Sequence, residues 1–194
     1  MRESIVKLVD EIESCALCAD DLPLGPRPIV RINPKASILI AGQAPGTKVH
    51  QSGIPFDDAS GDRLRNWMGI DRKIFYDVRK IAIVPMGFCY PGRGKSGDLP
   101  PLPLCAKTWR RRILDRLTNI ELVLPIGQYA HAWHIPARKR TLTETVESWQ
   151  EYGEGLMPLP HPSPRNNLWL AKNPWFEKQL VPVLQERVKA CLQP

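Results

Sequence analysis

The chain has 194 residues, 43% of them hydrophobic, and a formal net charge of +7. That content excludes a disordered or fibrous chain and suffices for one α/β domain over 1–194. No apolar run approaches the roughly 20 residues of a bilayer span, and the positive surplus favours a polyanionic partner held through its phosphates.

The first twelve residues read as an amphipathic helix charged along its length. Such an N-terminus is not a signal peptide, and it places the protein in the cytoplasm, where stable disulfides are rare. Cys15 and Cys18 follow as a Cys-x-x-Cys pair. Residues 36–42 form an apolar run ending in Gly42, as a buried strand does. The loop after it, Gly42-Gln43-Ala44-Pro45-Gly46, has glycines for tight turning and close approach to a ligand. It has neither the GxGxxG spacing nor the Lys-Ser/Thr of a phosphate loop. Next comes Gly53-Ile-Pro-Phe56-Asp57-Asp58-Ala-Ser60-Gly61-Asp62. An aromatic beside two carboxylates suits a flat ring ligand and acid or base work beside it. The plainer alternative is a solvated loop anchored by Phe56. Ser60 or Asp62 is expected to cap a helix running through Met68.

A second strand is expected at 80–85, followed by Met86-Gly87-Phe88-Cys89. A Pro/Gly-rich loop with Arg93 and Lys95 then leads to Cys105. Thr108–Leu117 reads as a basic amphipathic helix and 121–127 as a third strand. His131 and His134 read as helix-surface residues. Thr141 opens a helix to Tyr152 with a capping-box pattern. A fourth strand at 155–160 is weakened by Pro158. It leads to His161-Pro-Ser163-Pro-Arg165-Asn166, which joins an imidazole, a hydroxyl, a guanidinium and an amide in one proline-stiffened stretch. Pro174 suits the first turn of a last helix to about Ala190. Cys191 has no neighbour in sequence and reads as a free thiol.

Strands alternating with helices imply a mostly parallel sheet with helices on both faces. Ligands bind such sheets beyond the carboxyl ends of the strands. The segments beginning at Gly42, Met86 and His161 all leave from those ends. Cys15, Cys18, Cys89 and Cys105 suit an iron–sulfur cluster or a zinc ion.

Together these segments resemble the uracil-DNA glycosylase superfamily, most closely its iron–sulfur branches. The resemblance rests on the four-cysteine layout, on Gly42-Gln-Ala-Pro-Gly46 with Gly53-Ile-Pro-Phe56, and on His161-Pro-Ser-Pro-Arg-Asn166. It implies a three-layer α/β/α fold with a short, mostly parallel central sheet. It implies a monofunctional enzyme of base-excision repair that hydrolyses the N-glycosidic bond of uracil in DNA, for which a monomer is the default since one base is excised at a time. The cofactor it implies is a 4Fe-4S cluster on Cys15, Cys18, Cys89 and Cys105, with zinc as the alternative. Phe56 would stack on the everted base and His161 would hydrogen-bond it as it departs. Asp58 would stabilise the sugar cation and activate water, with Gln43 positioning that water. Gly42, Ala44, Gly87, Phe88 and Asn166 would line the base. Arg93, Lys95, Ser163, Arg165 and Asn167 would meet DNA, and the loop through Leu168 would enter the minor groove.

The chain also departs from those branches. Gln43 stands where the common branch has an acid. Pro85 stands near the position of its base-reading asparagine, which leaves base reading to backbone atoms of 86–88 or to Asn166. Asp58 falls on the catalytic position of a second branch, with Asp57 as the competing choice. The departures keep open a hypoxanthine or xanthine glycosylase and a non-catalytic or covalent-trapping uracil-DNA binder. A metal-clamped protein that binds small nucleotides is a third alternative.

Overall fold

A computed structural model of the protein describes residues 4–95 and 97–193. The chain runs α1 (Ile5–Glu13), β1 (Ile38–Ala41), α2 (Thr47–Ser52), α3 (Ala59–Met68), α4 (Arg72–Phe75) and β2 (Ile81–Ile83). A small hairpin of β3 (Arg93–Gly94) and β4 (Gly97–Asp98) follows. Then come α5 (Pro103–Cys105), a π-helical turn (Ala106–Arg110) and α6 (Arg111–Leu114), which form one continuous run. The rest is β5 (Leu122–Pro125), α7 (Gly127–His134), α8 (Leu142–Glu147), α9 (Asn167–Lys172), a second π-helical turn (Phe176–Leu180) and α10 (Val181–Leu192). The first three residues of the expected N-terminal helix lie outside the described ones; within them Ser4 caps α1 through its side chain.

Strands β2, β1 and β5 pair in that order, all parallel. Side chains alternate across them. Ile38, Ile40, Ile81, Ile83 and Leu124 face a core with Leu64 and Trp67 of α3 and Leu184 and Val188 of α10. Leu39, Ala82 and Val84 face Leu8 and Ile12 of α1 and, from the run after Cys105, Trp109 and Ile113. A sheet buried on both faces explains the unbroken apolar runs, and the result is a three-layer α/β/α fold. Because β2 and β5 flank β1 on opposite sides, the chain reverses beside the end of β1, where open sheets leave a crevice.

The sheet continues past its named strands. At one edge Arg31 and Ile83 exchange both backbone bonds, antiparallel, at 2.9 and 2.8 Å. At the other, residues 155–159 run parallel to β5, bridging at Val123–Leu156 and Ile126–Leu159. Met157 and Leu159 donate to the carbonyls of Val123 and Pro125, while Val123 and Gly127 donate to those of Gly155 and Leu159. The missing rung belongs to Pro125, which has no N–H. Pro158, expected to weaken this strand, lies between the bonded positions, as an edge proline does.

Several helix boundaries differ from expectation. The cap of α3 is Asp58, whose Oδ1 accepts from Gly61 N–H at 2.9 Å, and neither Ser60 nor Asp62. The helix expected over Thr108–Leu117 begins at Pro103, which occupies its first turn, and ends at Leu114. In the final run the π-helical turn falls just before Pro182. The wider turn accommodates a residue that cannot donate a backbone bond. The capping box at Thr141 and Glu144 forms as expected. No described helix is long and apolar enough to cross a membrane.

Candidate active site and cysteine pocket

The exits of β1 and of the 155–159 segment wall a cleft of about 520 Å³. Gly42, Gln43, Ala44, Phe56, Asp58, His161, Ser163, Arg165 and Asn166 all line it, so most of the expected site residues meet there. Ile29, Ile83 and Pro85 supply apolar wall.

Phe56 is held by its surroundings. Its φ of 57° is the one positive value among the described non-glycine residues. Strain of this kind persists where neighbours over-determine the backbone. A side chain on Gly61 would meet the Phe56 carbonyl oxygen at 1.7 Å, so that position takes only glycine. The buried Arg65 reaches the same oxygen, and Tyr76 Oη donates to Pro55 O at 2.9 Å. The Phe56 ring meets Phe75 edge-on at 6.0 Å, and a side chain on Gly42 would touch it at 3.4 Å.

The two candidate carboxylates separate. Asp57 turns to Arg72 at 2.7 Å and does not line the cleft. Asp58 lines it, with Oδ1 in the helix cap. His161 is half-buried. Ser163 N–H donates to its Nδ1 at 3.2 Å, which leaves the proton on Nε2. Burial lowers the His161 pKa from its ordinary value, against the upward pull of Asp58 and Asp98; Arg165 lowers it further. The imidazole is therefore a neutral N–H donor at pH 7. Asn166 lines the cleft and braces the loop, one of its two Nδ2 hydrogens going to His161 O at 2.7 Å.

Gly87 and Phe88 do not line the cleft; they belong to the neighbouring pocket. The backbone donors of this segment are also taken. Met86 N–H bonds Gly42 O, Gly87 N–H bonds Gln43 O, and Phe88 N–H approaches Cys105 Sγ at 3.3 Å. These N–H groups hold neighbouring loops in place.

Four features escaped the sequence reading. Asp98, at the end of the hairpin, is a second carboxylate in the cleft and one of those acting on His161. Lys48, in the first turn of α2, also lines it. Arg63 ties α3 to the His161 loop, donating to Ser163 O at 3.1 Å and Asn167 Oδ1 at 2.8 Å. Arg110 is wholly buried behind the exit of β2. A run of Arg110-Arg111-Arg112 gave no signal that its first member is internal. The hairpin itself is tied down, with Gln43 Nε2 donating to Leu99 O at 3.3 Å. Arg165 lies across Gly97, while Arg93 and Lys95 are exposed.

His131 is buried, whereas His134 is half-buried and keeps part of its surface in solvent. Two carbonyls, Pro125 O at 3.1 Å and Leu159 O at 3.0 Å, accept from His131 Nε2. This stitches the strands together beside the rung that Pro125 omits. Burial pushes the pKa of His131 down to about 4 and that of His134 to about 3.

Cys15, Cys18, Cys89 and Cys105 border one narrow pocket with Leu17, Leu22, Phe88 and Trp109. All are free thiols, as is Cys191. Burial pushes Cys105 up to about 12. Among the described residues, no group of three or more His, Cys, Asp or Glu is arranged to hold a metal ion. The four thiols thus share a pocket without forming a ligand set for a single ion. The donor chemistry, four sulfurs in apolar walls, suits a sulfur-ligated centre.

The cleft lies at the carboxyl ends of a parallel sheet, where open α/β folds take their ligands, and Phe56 gives it an aromatic wall. A family model described as the uracil DNA glycosylase superfamily matches residues 29–185. The chain belongs to that superfamily, whose members are DNA glycosylases, hydrolases of DNA repair. Cys15 and Cys18 precede the matched residues.

Proposed function

We propose that the protein hydrolyses the N-glycosidic bond of uracil, or of a related deaminated base, in DNA. The observation that carries this is the meeting of Phe56, Asp58 and His161 in one cleft. The target base must leave the stack, at a cost of about a few kcal/mol. Phe56 stacks on it. The C1′–N bond breaks and its electron pair passes to the base, where a carbonyl oxygen takes up negative charge. His161 Nε2–H donates to that oxygen, a contribution of about 3 kcal/mol for a preorganised donor. Water attacks C1′ and gives its proton to the Asp58 carboxylate. Gln43 spends its amide N–H on Leu99 O, which leaves its oxygen to orient that water. The released base takes a proton from solvent. Arg93, Lys95 and Arg165 meet phosphates, and Leu168, 76% exposed, fills the gap in the duplex.

For the cysteines we propose a 4Fe-4S cluster, with zinc as the alternative. In a cluster each cysteine serves its own iron, whereas zinc draws four sulfurs onto one atom. Four cysteines lining one apolar pocket support a sulfur-ligated centre of either kind. Its part when bound is structural: it clamps the N-terminal segment to the Cys89–Cys105 loop beside the DNA face.

One observation favours a wider substrate range. Pro85 has no polar side-chain group and the backbone donors of 86–88 are engaged, so the position of the usual base-reading asparagine supplies no donor of its own. His161 reads only a carbonyl, which hypoxanthine and xanthine also carry. Anaerobically purified protein tested on single strands and duplexes, each with one lesion, decides. Alkali-labile breaks at uracil are expected. Retention of uracil-containing DNA without breaks would make it a non-catalytic binder, and a denaturant-resistant complex a covalent trap. Breaks confined to hypoxanthine or xanthine would move the substrate.

A further inference from the structure

Two arginines are buried among the described residues, and they are treated differently. Arg65 is 6% exposed, pairs with Asp62 at 2.6 Å and lies over the rings of Phe75 and Tyr76. Arg110 is 0% exposed. Its Nη1 donates to Val84 O at 3.2 Å and Pro85 O at 3.0 Å, and its Nη2 meets His134 Nε2 at 2.5 Å. Its Nε is buried with no partner. Every acceptor it reaches is neutral, since His134 stays deprotonated in these surroundings. A buried guanidinium without a counter-charge is strongly unfavourable.

The place of Arg110 in the fold indicates what supplies that charge. Cys105 immediately precedes the π-helical turn that Arg110 ends. Wide turns of this kind are frequent at functional sites. Trp109, its neighbour, walls the cysteine pocket. On its other side Arg110 holds the exit of β2. Pro85 there walls the cleft, and two residues on, Gly87 and Phe88 wall the cysteine pocket.

We propose that Arg110 is the internal counter-cation of the four-cysteine centre and a positioning residue for the base pocket. Metal-bound thiolates supply the negative charge that Arg110 lacks, and the same guanidinium fixes the Val84 and Pro85 carbonyls behind the cleft wall. Loading of the centre is thereby linked to the shape of the cleft through one side chain. This rests on reading the cysteines as a metal centre.

The test compares wild type, Arg110→Met and Arg110→Lys after reconstitution with ferrous iron and sulfide. Metal affinity is read by visible absorbance under chelator competition, and thermal unfolding is followed with and without metal. Arg110→Met is expected to lose about 10–100-fold in metal affinity, as outer-shell partners do, and to gain less thermal stability on loading than wild type. Arg110→Lys keeps the charge but not the planar fork. It is expected to hold metal as wild type does while excising uracil with a raised KM. Equal affinity and an equal stability gain in wild type and Arg110→Met would overturn the proposal. If Arg110→Met does not fold, loss of metal from Arg110→Lys overturns it instead. A wild type that takes up no metal sinks the metal centre, and this inference with it, while leaving the glycosylase reading standing.

Discussion

In the cleft, Asp58 and His161 are each fixed by bonds made within their own short stretch of chain. Asp58 caps the helix it begins, Ser163 N–H sets the His161 tautomer, and Asn166 ties back to His161 O. In the cysteine pocket, the thiols arrive from three separate segments and rest on apolar walls. Backbone donors approach two of them, Phe88 N–H at Cys105 and Arg27 N–H at Cys89. The two regions share the exit of β2, with Pro85 facing one and Phe88 the other. The difference teaches that the cleft is organised before anything binds. The pocket has the right chemistry, but its final arrangement depends on what the sulfurs hold.

The sharpest way to break this comparison is at His161 and Asp58. His161→Ala removes the Nε2–H donor and is expected to slow single-turnover excision by about 10²–10³-fold, with DNA binding by gel shift little changed. Asp58→Asn preserves the cap, because asparagine caps as well as aspartate. It should cut excision and leave thermal stability intact, whereas Asp58→Ala should lose excision and about 1 kcal/mol of stability as well. Full excision by Asp58→Asn would remove the carboxylate from the chemistry.

Next in size is stacking. Phe56→Ala is expected to weaken capture of the base by about 1–3 kcal/mol, measured as discrimination between uracil-containing and undamaged DNA. Phe56→Gly loses the same ring but relieves the positive φ. It should therefore unfold later than Phe56→Ala, by about 1 kcal/mol.

Cys15→Ser probes the other region. It should remove the visible absorbance of reconstituted protein and lower its unfolding temperature. Excision per folded molecule should fall less than in His161→Ala, because the cleft keeps its own bonds. Equal losses would show that the cleft has no independent order.

The smallest expected effect is a shift in pH dependence. The neutral form of His161 does the work, and burial lowers its pKa below the ordinary 6.5. Excision limited by this group should stay level as pH falls to 6.5 and decline only below it. Asp98→Asn removes one of the charges that raise this pKa, so the acid limb should move to still lower pH. A limb that stays in place would detach Asp98 from His161.

Much of the frame was legible in the chain. Strands β1, β2 and β5 announced themselves as apolar runs because both their faces are covered. Thr141 and Glu144 announced a helix start because a capping box is satisfied within four residues. The convergence of the Gly42 and His161 segments followed from parallel topology alone. Other features were not legible. Asp58, Ser60 and Asp62 are all competent caps, and only the backbone path after Phe56 selects Asp58. That Gly87 and Phe88 border the cysteine pocket and not the cleft was not legible, because backbone donors carry no mark in sequence of the partner they will find. His131 looked like a surface residue because a short helix fixes no buried face until the sheet edge it packs on is known.

By itself, then, the sequence determined what local bonding and periodicity determine: which stretches are strands, where caps and prolines punctuate them, and which polar segments leave the sheet at one end. Tertiary structure alone decided which of two adjacent aspartates faces the cleft, that the hairpin delivers Asp98, and that one arginine of a basic run lies in the interior. The physical reason is range. Hydrogen bonds within a turn are set by residues a few positions apart, whereas burial and the company of charges depend on segments that only the folded chain brings together.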